Sequence, residues 1–458
     1  MKAGVALKCL DFDITILDNS KPRRQLGLFD ATMIVMGGIV GAGIFANPSE
    51  VAHRVHTPFL ILCVWVLGGL LAMCGAFIWA ELATRLPGAL GGQYVYLRDA
   101  YHPAVAFVYG WGLLLITQTG GMAAVAVIFA SYFRALIGVA WNENAIAAAV
   151  LLTLTGINCF GARAGSNVQS VLMLLKIGAI AALVIIGFAV GGHAPEHSTL
   201  LLEKPFSFDV LKSLGAAMVP IAFAYGGWQT ATFVAAEIRN PRRNLSLGLL
   251  LGVSGVVALY LAVNVACLRG LGPAGLDATK TPASDLMGIA LGESGARWIA
   301  LAITISALGF LSQSMLTAPR VYYAMARDGL FFSSVGKLFG KSEAPVVAII
   351  LQGFAAMVIA CSGTYGEILN FEVTVDFIFF GMTAAALFAL RRRRIGSDSV
   401  TFRVPGHPFT TMLFVLSCAA IVLSAIIASP RNSVIALCIM LAGLPVYDFW
   451  SRFRRARA

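Results

Sequence analysis

Two short glycine-rich segments inside apolar stretches carry the strongest chemical signal in this sequence. They read GGIVGAGIF at residues 37–45 and FAYGGW at residues 223–228. Glycine in a helix interior costs about 1 kcal/mol relative to alanine. A backbone N–H or C=O left unpaired in hydrocarbon adds a further penalty, so such breaks need a reason. Both segments predict helix breaks whose backbone groups are kept free for a ligand.

The free groups at such breaks suit a small zwitterion. A half-helix that begins at a break directs unpaired N–H groups and the positive end of its dipole into the gap, where a carboxylate fits. A half-helix that ends at a break directs carbonyls there, and these suit an ammonium group. The alternative is that the glycines permit close helix packing, a pattern that Gly37 and Gly41 alone would satisfy.

Lys176 is a third chemical signal, because it is a basic residue deep inside an apolar segment. Charges within a membrane are rare and usually functional. Such an ammonium group can lose and regain a proton, or act as a fixed cation. A lysine that extends to the membrane interface is the structural alternative.

The elements that position these residues must lie in a membrane. The 458-residue chain is 59% hydrophobic and 12% charged, whereas soluble domains carry about 25% charged residues. The polar N-terminus lacks the apolar core of a signal peptide, so the first span is retained. Windows of about 20 apolar residues predict twelve transmembrane helices at 29–52, 59–84, 103–136, 144–160, 167–190, 210–237, 246–269, 296–327, 345–362, 367–390, 408–428 and 432–450.

The distribution of the 33 Lys and Arg residues orients these spans. With twelve spans, most of these residues fall on the side of the two termini, which predicts that both termini are cytoplasmic. Most of the basic residues behind the net charge of +11 then face anionic lipid, which explains this charge without a nucleic-acid partner. The arginine run at 391–394 accordingly indicates a stop-transfer anchor.

Several acidic residues are open to two interpretations. Glu81 is expected to pair with Arg85 one helical turn later, or else to act in gating. Glu372 and Asp376 face a permeation pathway, where they would favour a cationic substrate, or lie in water at its outer end. The sequence has no P-loop, no His/Cys metal-ligand spacing and no candidate serine triad. We therefore expect no enzyme, no cofactor and no metal site.

The two glycine segments, taken with weaker motifs, resemble the amino acid–polyamine–organocation (APC) superfamily, and within it the L-type amino acid transporters and their bacterial relatives. The weaker motifs include AEL at 80–82, GGQYVYL at 91–97 and AMARDG at 324–329. The resemblance implies an all-α integral membrane fold of the leucine-transporter type, in which helices 1 and 6 are broken. It divides the chain into a cytoplasmic tail (1–28), a first five-helix repeat (29–190), an inverted second repeat (210–390), two added helices (408–450) and a basic tail (451–458).

The resemblance also implies a substrate site. The N–H groups of Ala42 and Gly43 would bind the substrate carboxylate, and the carbonyls of Ile39, Phe223 and Gly226 would bind its ammonium group. Phe223 would also close the site from outside. Ala42 stands where the family often has serine, so the carboxylate must be bound mainly by backbone. The full set implied for substrate binding is Ile39, Gly41, Ala42, Gly43, Phe223, Ala224, Gly226, Trp228 and Gln229.

By the same resemblance, the ammonium group of Lys176 takes the place of a sodium ion found in sodium-coupled relatives. It would bridge span 1 to span 8, where Ser306 is the expected partner and Gln313 lies on the same helix face. Glu237 is expected to form an inner gate with Arg239, Arg242 and Arg243.

The function implied is sodium-independent secondary transport of neutral L-amino acids by alternating access, through exchange or proton symport. The alternative is a carrier of cationic amino acids, polyamines or other amines. Animal L-type light chains have a cysteine between spans 3 and 4 that binds a heavy chain, and the loop at 137–143 has none. We therefore expect a carrier of the bacterial inner membrane, without a heavy chain, as a monomer or homodimer. Its expected partners are an amino acid and membrane lipid, with no nucleic acid.

Overall fold

The computed structural model describes residues 16–17, 22–41, 43–189, 208–340, 342–362 and 365–455. Most of the predicted N-terminal tail and the end of the basic C-terminal tail lie outside this part of the chain. The described residues are overwhelmingly helical. Their one strand pair, β1 (Ile16–Leu17) and β2 (Leu338–Phe339), is antiparallel and two residues long.

The described residues from 22 to 189 form eight α-helices. Proline begins α3 and α5, because its missing N–H would be unpaired in the first turn in any case. A π-helical turn at Leu113–Thr117 joins α5 to α6 into one long element. The helices are α1 (Leu28–Ile39), α2 (Gly43–Val55), α3 (Pro58–Arg85), α4 (Gln93–Ala100), α5 (Pro103–Gly112), α6 (Gln118–Ile137), α7 (Glu143–Cys159) and α8 (Ala162–Ala189).

The described residues from 208 onward form ten further α-helices and two 3₁₀ helices, Trp228–Glu237 and Ser397–Ser399. Gly272 kinks α10, since its φ of 68° is not helical. The α-helices are α9 (Phe208–Tyr225), α10 (Pro241–Ala278), α11 (Pro282–Leu291), α12 (Glu293–Thr317), α13 (Pro319–Arg327), α14 (Val346–Ser362), α15 (Tyr365–Arg392), α16 (Phe409–Ala428), α17 (Pro430–Leu441) and α18 (Gly443–Arg455).

Many of the described helices have the length and surface of membrane spans. Each of the twelve predicted apolar segments is helical over most of its described length, and α16 leaves Leu416 61% and Ile427 79% exposed, as lipid contact allows. Three apolar helices, α1, α7 and α14, are only 10–17 residues long. Eight stretches in the described part are long and apolar enough to cross a membrane: Pro58–Arg85, Pro103–Ile137, Ala162–Ala189, Pro241–Ala278, Glu293–Arg327, Glu372–Arg392, Phe409–Ile427 and Pro430–Arg452.

Helix α1 lies at the centre of the molecule and packs against α8, α10, α12 and the 3₁₀ helix Trp228–Glu237. Glycines of α10 let it approach closely: a Cβ on Gly248 would lie 2.8 Å from the Ala31 Cβ, and one on Gly252 would lie 2.6 Å from Val35. Small residues four positions apart permit this contact between apolar helices. Close packing that requires glycine also occurs on α1 itself, since a Cβ on Gly37 would lie 1.8 Å from Gln169 Nε2, whereas a Cβ on Gly41 would meet open space.

Candidate functional site

The chain leaves helical conformation at both glycine segments. Helix α1 ends at Ile39 and α2 begins at Gly43, while α9 ends at Tyr225 and the 3₁₀ helix begins at Trp228. The first turn of α2 has N–H groups without intrahelical acceptors, and the last turns of α1 and α9 have carbonyls without intrahelical donors. Ala42, a predicted N–H donor at the first break, lies outside the described residues.

The two breaks touch each other. A Cβ on Gly38 would lie 2.5 Å from the Gly227 carbonyl oxygen and 2.9 Å from Thr230 Oγ1, so no larger residue fits at position 38 without movement. Gly227 also has a φ of 107°, which side chains strongly disfavour. Close backbone approach thus requires glycine at these two positions.

A cavity of about 250 Å³ lies beside both breaks. Its wall is mostly apolar, with a few polar side chains, as is usual for small-molecule sites. Residues of four other helices (α6, α10, α12 and α15) complete it. The predicted substrate-binding residues among its lining are Ile39, Gly41, Gly43, Phe223, Ala224, Gly226 and Gln229.

Trp228 does not line this cavity, although the sequence analysis included it in the substrate site. Its indole is 2% exposed and packs edge-on against Trp79 at 4.8 Å, with Phe380 stacked at 5.5 Å. Phe380 itself lines the cavity. Trp228 therefore packs against a residue of the cavity wall, Phe380, without facing the cavity itself.

The carbonyls at the breaks already accept some hydrogen bonds. Tyr260 Oη donates to the Ile39 carbonyl at 3.1 Å, and the Gly226 N–H donates to the Phe223 carbonyl at 3.2 Å. Each carbonyl oxygen has a second lone pair for another donor. The sequence analysis did not identify Tyr260 as a site residue. A phenol hydroxyl within the apolar part of α10 needs a hydrogen-bond acceptor, and this was the signal that could have indicated it.

Phe223 stands over the start of α2. Its side chain is 40% exposed, and its Cδ1 would lie 3.9 Å from a Cβ on Gly43. A bulky ring at this point narrows the access to the first turn of α2.

Lys176 of α8 reaches the end of α1. Its Nζ donates to the Val40 carbonyl at 2.5 Å, and the residue is 1% exposed. On α12 the residue beside it is Gly309, where a Cβ would lie 2.9 Å from Nζ. The lysine therefore links the first break to α12.

The expected α12 partners of Lys176 are engaged differently. Ser306 Oγ is buried and makes no hydrogen bond within the described residues, so it is not bonded to the lysine. Gln313 Nε2 donates to Thr230 Oγ1 at 2.5 Å. Gly309 has no side chain, and this leaves room for the lysine. A search of the sequence for a polar partner of Lys176 cannot identify a glycine.

Glu237 forms an ion pair with Arg320, at the start of α13. Its Oε1 lies 2.7 Å from Arg320 Nε, and both residues are at least 96% buried. Arg239, Arg242 and Arg243, which the sequence analysis grouped with Glu237 in an inner gate, are all exposed, and the basic partner of Glu237 shown in the described residues is Arg320. Glu237 is the last residue of the 3₁₀ helix and is buried, whereas Arg239 lies beyond the end of that helix. Arg242 and Arg243 follow Asn240, which has a φ of 46°.

Glu81 is fully buried at the end of α3. Its carboxylate accepts hydrogen bonds from Arg85 Nε and Arg391 Nε, each at 2.9 Å, and from the Val404 N–H at 2.8 Å. The expected pairing with Arg85 is confirmed. Arg391, which the sequence indicated only as part of an anchor, ties α15 to the same carboxylate.

Glu372 and Asp376 lie one turn apart on α15, and both line the cavity. Of the two positions that the sequence left open, the structure shows the one facing the interior. In the described part of the chain, neither carboxylate forms an ion pair with a Lys, Arg or His.

The chain matches the amino acid permease family over residues 26–449. It is 29% identical over 435 residues to the serine/threonine exchanger SteT of Bacillus subtilis (strain 168), which covers 93% of this chain and 96% of that protein. It is 26% identical over 436 residues to the large neutral amino acids transporter small subunit 2 of Oryctolagus cuniculus, covering 93% and 80%. It is 27% identical over 447 residues to the b(0,+)-type amino acid transporter 1 of Homo sapiens, covering 94% and 89%.

These matches extend over nearly the whole length of the chain, and they include both breaks and the helices that line the cavity. The described helices also give it the apolar, multi-pass character of a membrane protein. The chain therefore belongs to the amino acid permease family of the APC superfamily.

Proposed function

We propose that this protein is a sodium-independent carrier that moves neutral L-amino acids across a membrane by alternating access, in exchange for another amino acid. The contact between Gly38 and Gly227 carries the proposal, because it brings both sets of free backbone groups to one cavity. The names of two relatives, a serine/threonine exchanger and a large neutral amino acids transporter, support neutral substrates and exchange. Proton symport is the other mode of coupling.

The substrate is held mainly by backbone. The N–H groups around Gly41 and Gly43 bind its carboxylate at the positive end of the α2 dipole. The carbonyls of Ile39, Phe223 and Gly226 bind its ammonium group. Phe223 closes the site from outside, and the buried Glu237–Arg320 pair closes it from inside.

Lys176 supplies the fixed positive charge that sodium supplies in sodium-coupled carriers. Its hydrogen bond to the Val40 carbonyl holds the end of α1, and its position beside Gly309 ties that end to α12. Because an ammonium group already occupies this place, no sodium ion is needed to order the break.

The proposed architecture has twelve crossings and an inverted repeat, with 29–190 and 210–390 as the repeats and 408–450 as added helices. Both termini are cytoplasmic in a bacterial inner membrane, since this orientation puts most basic residues inside. The loop between α6 and α7 has no cysteine, which supports a carrier that works without a heavy chain, as a monomer or homodimer.

A second candidate is a carrier of cationic amino acids, polyamines or other amines. The observation that favours it is the pair Glu372 and Asp376, whose side chains line the cavity without a basic partner among the described residues. A neutral substrate does not offset such charges.

Countertransport in proteoliposomes tests the leading proposal. Vesicles preloaded with one neutral amino acid are expected to take up labelled neutral amino acids at the same rate in sodium and in potassium buffer. Empty vesicles are expected to take up little. Uptake that needs a pH gradient and no internal substrate would replace exchange by symport, and exchange of diamines alone would overturn the neutral-substrate proposal.

The variant Lys176→Ala tests the role of the lysine. We expect a loss of exchange of at least tenfold, which corresponds to about 1.4 kcal/mol in the rate-limiting barrier, while the protein still inserts and stays monodisperse. Lys212→Ala, at an exposed position of α9, is the matched control and is expected to exchange normally. Near-normal exchange by Lys176→Ala would contradict the proposed role.

A further inference from the structure

Helix α8 holds α1 through buried polar side chains that share one face of α8. Near the start of α1, Ser166 Oγ donates a hydrogen bond to Asp30 Oδ1 at 3.0 Å. Further along α1, Gln169 Nε2 donates to the Met33 carbonyl at 2.9 Å. Lys176 binds the chain just past the end of α1. The whole of α1 from Asp30 onward is therefore held against α8.

The Gln169 amide lies where α1 has no side chain. A Cβ on Gly37 would lie 1.8 Å from Gln169 Nε2 and 3.7 Å from Gln313 Cγ, so this glycine lets side chains of both α8 and α12 approach α1. Gln169 is 0% exposed, and its Oε1 has no hydrogen-bond partner within the described residues. Its one hydrogen bond there, to Met33, therefore fixes the amide at this level of α1.

Gln313 extends the same level to the second broken helix. Its Nε2 donates to Thr230 Oγ1, which in turn donates to the Gly227 carbonyl at 2.6 Å. Thr230 belongs to the 3₁₀ helix, and both Gln313 and Thr230 line the cavity. Gln169, Gln313 and Thr230 thus form a polar layer that joins α8, α1, α12 and the 3₁₀ helix directly beside the cavity.

The polar layer lies between the cavity and the buried ion pair. The 3₁₀ helix leads from Thr230 to Glu237, and α12 leads from Gln313 towards Arg320 at the start of α13. In the proposed orientation this is the inner side of the protein. A substrate released inward therefore has to pass the polar layer before it passes the ion pair, and both must open.

The bond from Gln169 to Met33 is suited to break and reform in each cycle. Met33 lies inside α1, so its carbonyl retains the Gly37 N–H as its helical donor when the glutamine leaves. The Gln169 Oε1 already lacks a partner, and water in an opened passage would satisfy both ends of the amide. Because the chain leaves helical conformation after Ile39, α1 is able to move separately from α2.

We propose that Gln169 is a positioning residue of the transport cycle, which holds α1 against α8 while the inner side is closed and releases it when that side opens. This inference rests on the proposed alternating access and adds a residue that sets the balance between the outward-open and inward-open states. A bond made only in the closed state favours that state, so its loss shifts the population towards inward-open molecules.

The population shift has a signature that depends on the side of the membrane. Substrate at each face binds only the fraction of molecules that are open to that face. The half-saturating concentration of a neutral amino acid therefore rises at the outer face and falls at the inner face when inward-open molecules become more common. General destabilisation lowers the amount of active protein and leaves the ratio of the two concentrations unchanged.

The variant Gln169→Met tests the proposal, because it removes the amide and keeps the length of the side chain. Exchange is measured in right-side-out and in inside-out membrane vesicles. The ratio of the outer to the inner half-saturating concentration is expected to rise about threefold or more, as the loss of one hydrogen bond allows.

Gln352→Met is the matched control. Gln352 is also 0% exposed, has an Oε1 without a partner in the described residues, and donates to a helix carbonyl, that of Ser314, at 3.0 Å. It belongs to α14 instead of α8. We expect the control to leave the ratio unchanged, and an equal rise in both variants would overturn the role of Gln169.

The remaining outcomes separate this inference from the proposed function. Wild-type exchange with an unchanged or lowered ratio in Gln169→Met would overturn the role of Gln169 and leave the proposed transport standing. A wild-type protein that exchanges no amino acid would overturn both. Should Gln169→Met fail to fold, Gly37→Ala replaces it, because the added methyl group displaces the Gln169 amide. The ratio must then rise in Gly37→Ala, and an unchanged ratio there would overturn the proposal.

Discussion

Carboxylates in two regions inside this protein differ in their partners. At the helix ends, Glu81 and Glu237 are almost completely buried, and each is paired with arginine. In the central cavity, Glu372 and Asp376 have no basic partner among the described residues. Acidic residues therefore have arginine partners at the helix ends, whereas those in the cavity have no basic partner among the described residues.

The difference separates acidic residues that join helices through arginine from acidic residues that line the cavity. A buried ion pair is a weak source of net stability, but removal of one partner leaves an uncompensated charge at high cost. Glu81 joins α3, α15 and the segment before α16, and Glu237 joins the 3₁₀ helix to α13. The cavity carboxylates have no ion-pair partner of opposite charge among the described residues.

Removal of Arg320 should have the largest effect on stability. Arg320→Ala leaves Glu237 buried and unpaired, and the expected loss is about 3–5 kcal/mol in the free energy of unfolding. The measurement is denaturant or thermal unfolding of the detergent-solubilised protein.

The matched control for Arg320 is Arg242→Ala, at one of the exposed arginines that the sequence nominated for the same gate. We expect that change to stay within about 0.5 kcal/mol. An equal loss in the free energy of unfolding in the two variants would contradict the assignment of Arg320 as the partner of Glu237.

The same substitution in the two regions should give opposite results. Glu81→Gln deprives Arg85 and Arg391 of their charged acceptor and is expected to cost about 2 kcal/mol. Glu372→Gln removes a carboxylate that has no basic partner among the described residues, and it is expected to stabilise the substrate-free protein slightly, by up to about 1 kcal/mol. Thermal unfolding of both variants, purified together with wild type, checks the signs. A comparable loss in Glu372→Gln would show that this carboxylate has a structural role.

The smallest effect concerns His407, close to the Glu81 cluster and outside the membrane-spanning segments. Burial, together with the positive charge of Arg391, lowers the pKa of His407 below its usual value. The unfolded chain then binds a proton at a higher pH than the folded one, so stability is complete above the ordinary pKa of about 6.5 and falls as the pH drops below it. We expect His407→Gln to reduce the loss of melting temperature between neutral and mildly acidic pH. An unchanged pH dependence would place His407 outside the electrostatic field of this cluster.

Much of the local architecture could be predicted from the sequence. The apolar segments and the two breaks follow from hydropathy and from glycine, which act over a few neighbouring residues. The predicted pairing of Glu81 with Arg85 is also local, because residues four apart share a helix face. Seven of the nine predicted substrate-site residues line one cavity for the same reason, since they flank the breaks.

The partners that join distant segments could not be predicted in this way. Arg320 lies 83 positions from Glu237, and the sequence analysis grouped three nearer arginines with this glutamate instead. Tyr260 donates to a carbonyl 221 positions away, and the residue beside Lys176 on α12 is a glycine with no side-chain signal. The packing of the Trp228 indole away from the cavity likewise depends on Trp79 and Phe380, which belong to other helices.

The sequence by itself determined that this is a helical membrane protein with two broken helices and one intramembrane lysine, because composition and glycine placement are local properties of the chain. Only the tertiary structure decided which of these acidic residues are paired with arginine. Pairing depends on which helix ends meet, and it gave Glu81 and Glu237 their arginines while leaving Glu372 and Asp376 facing the cavity.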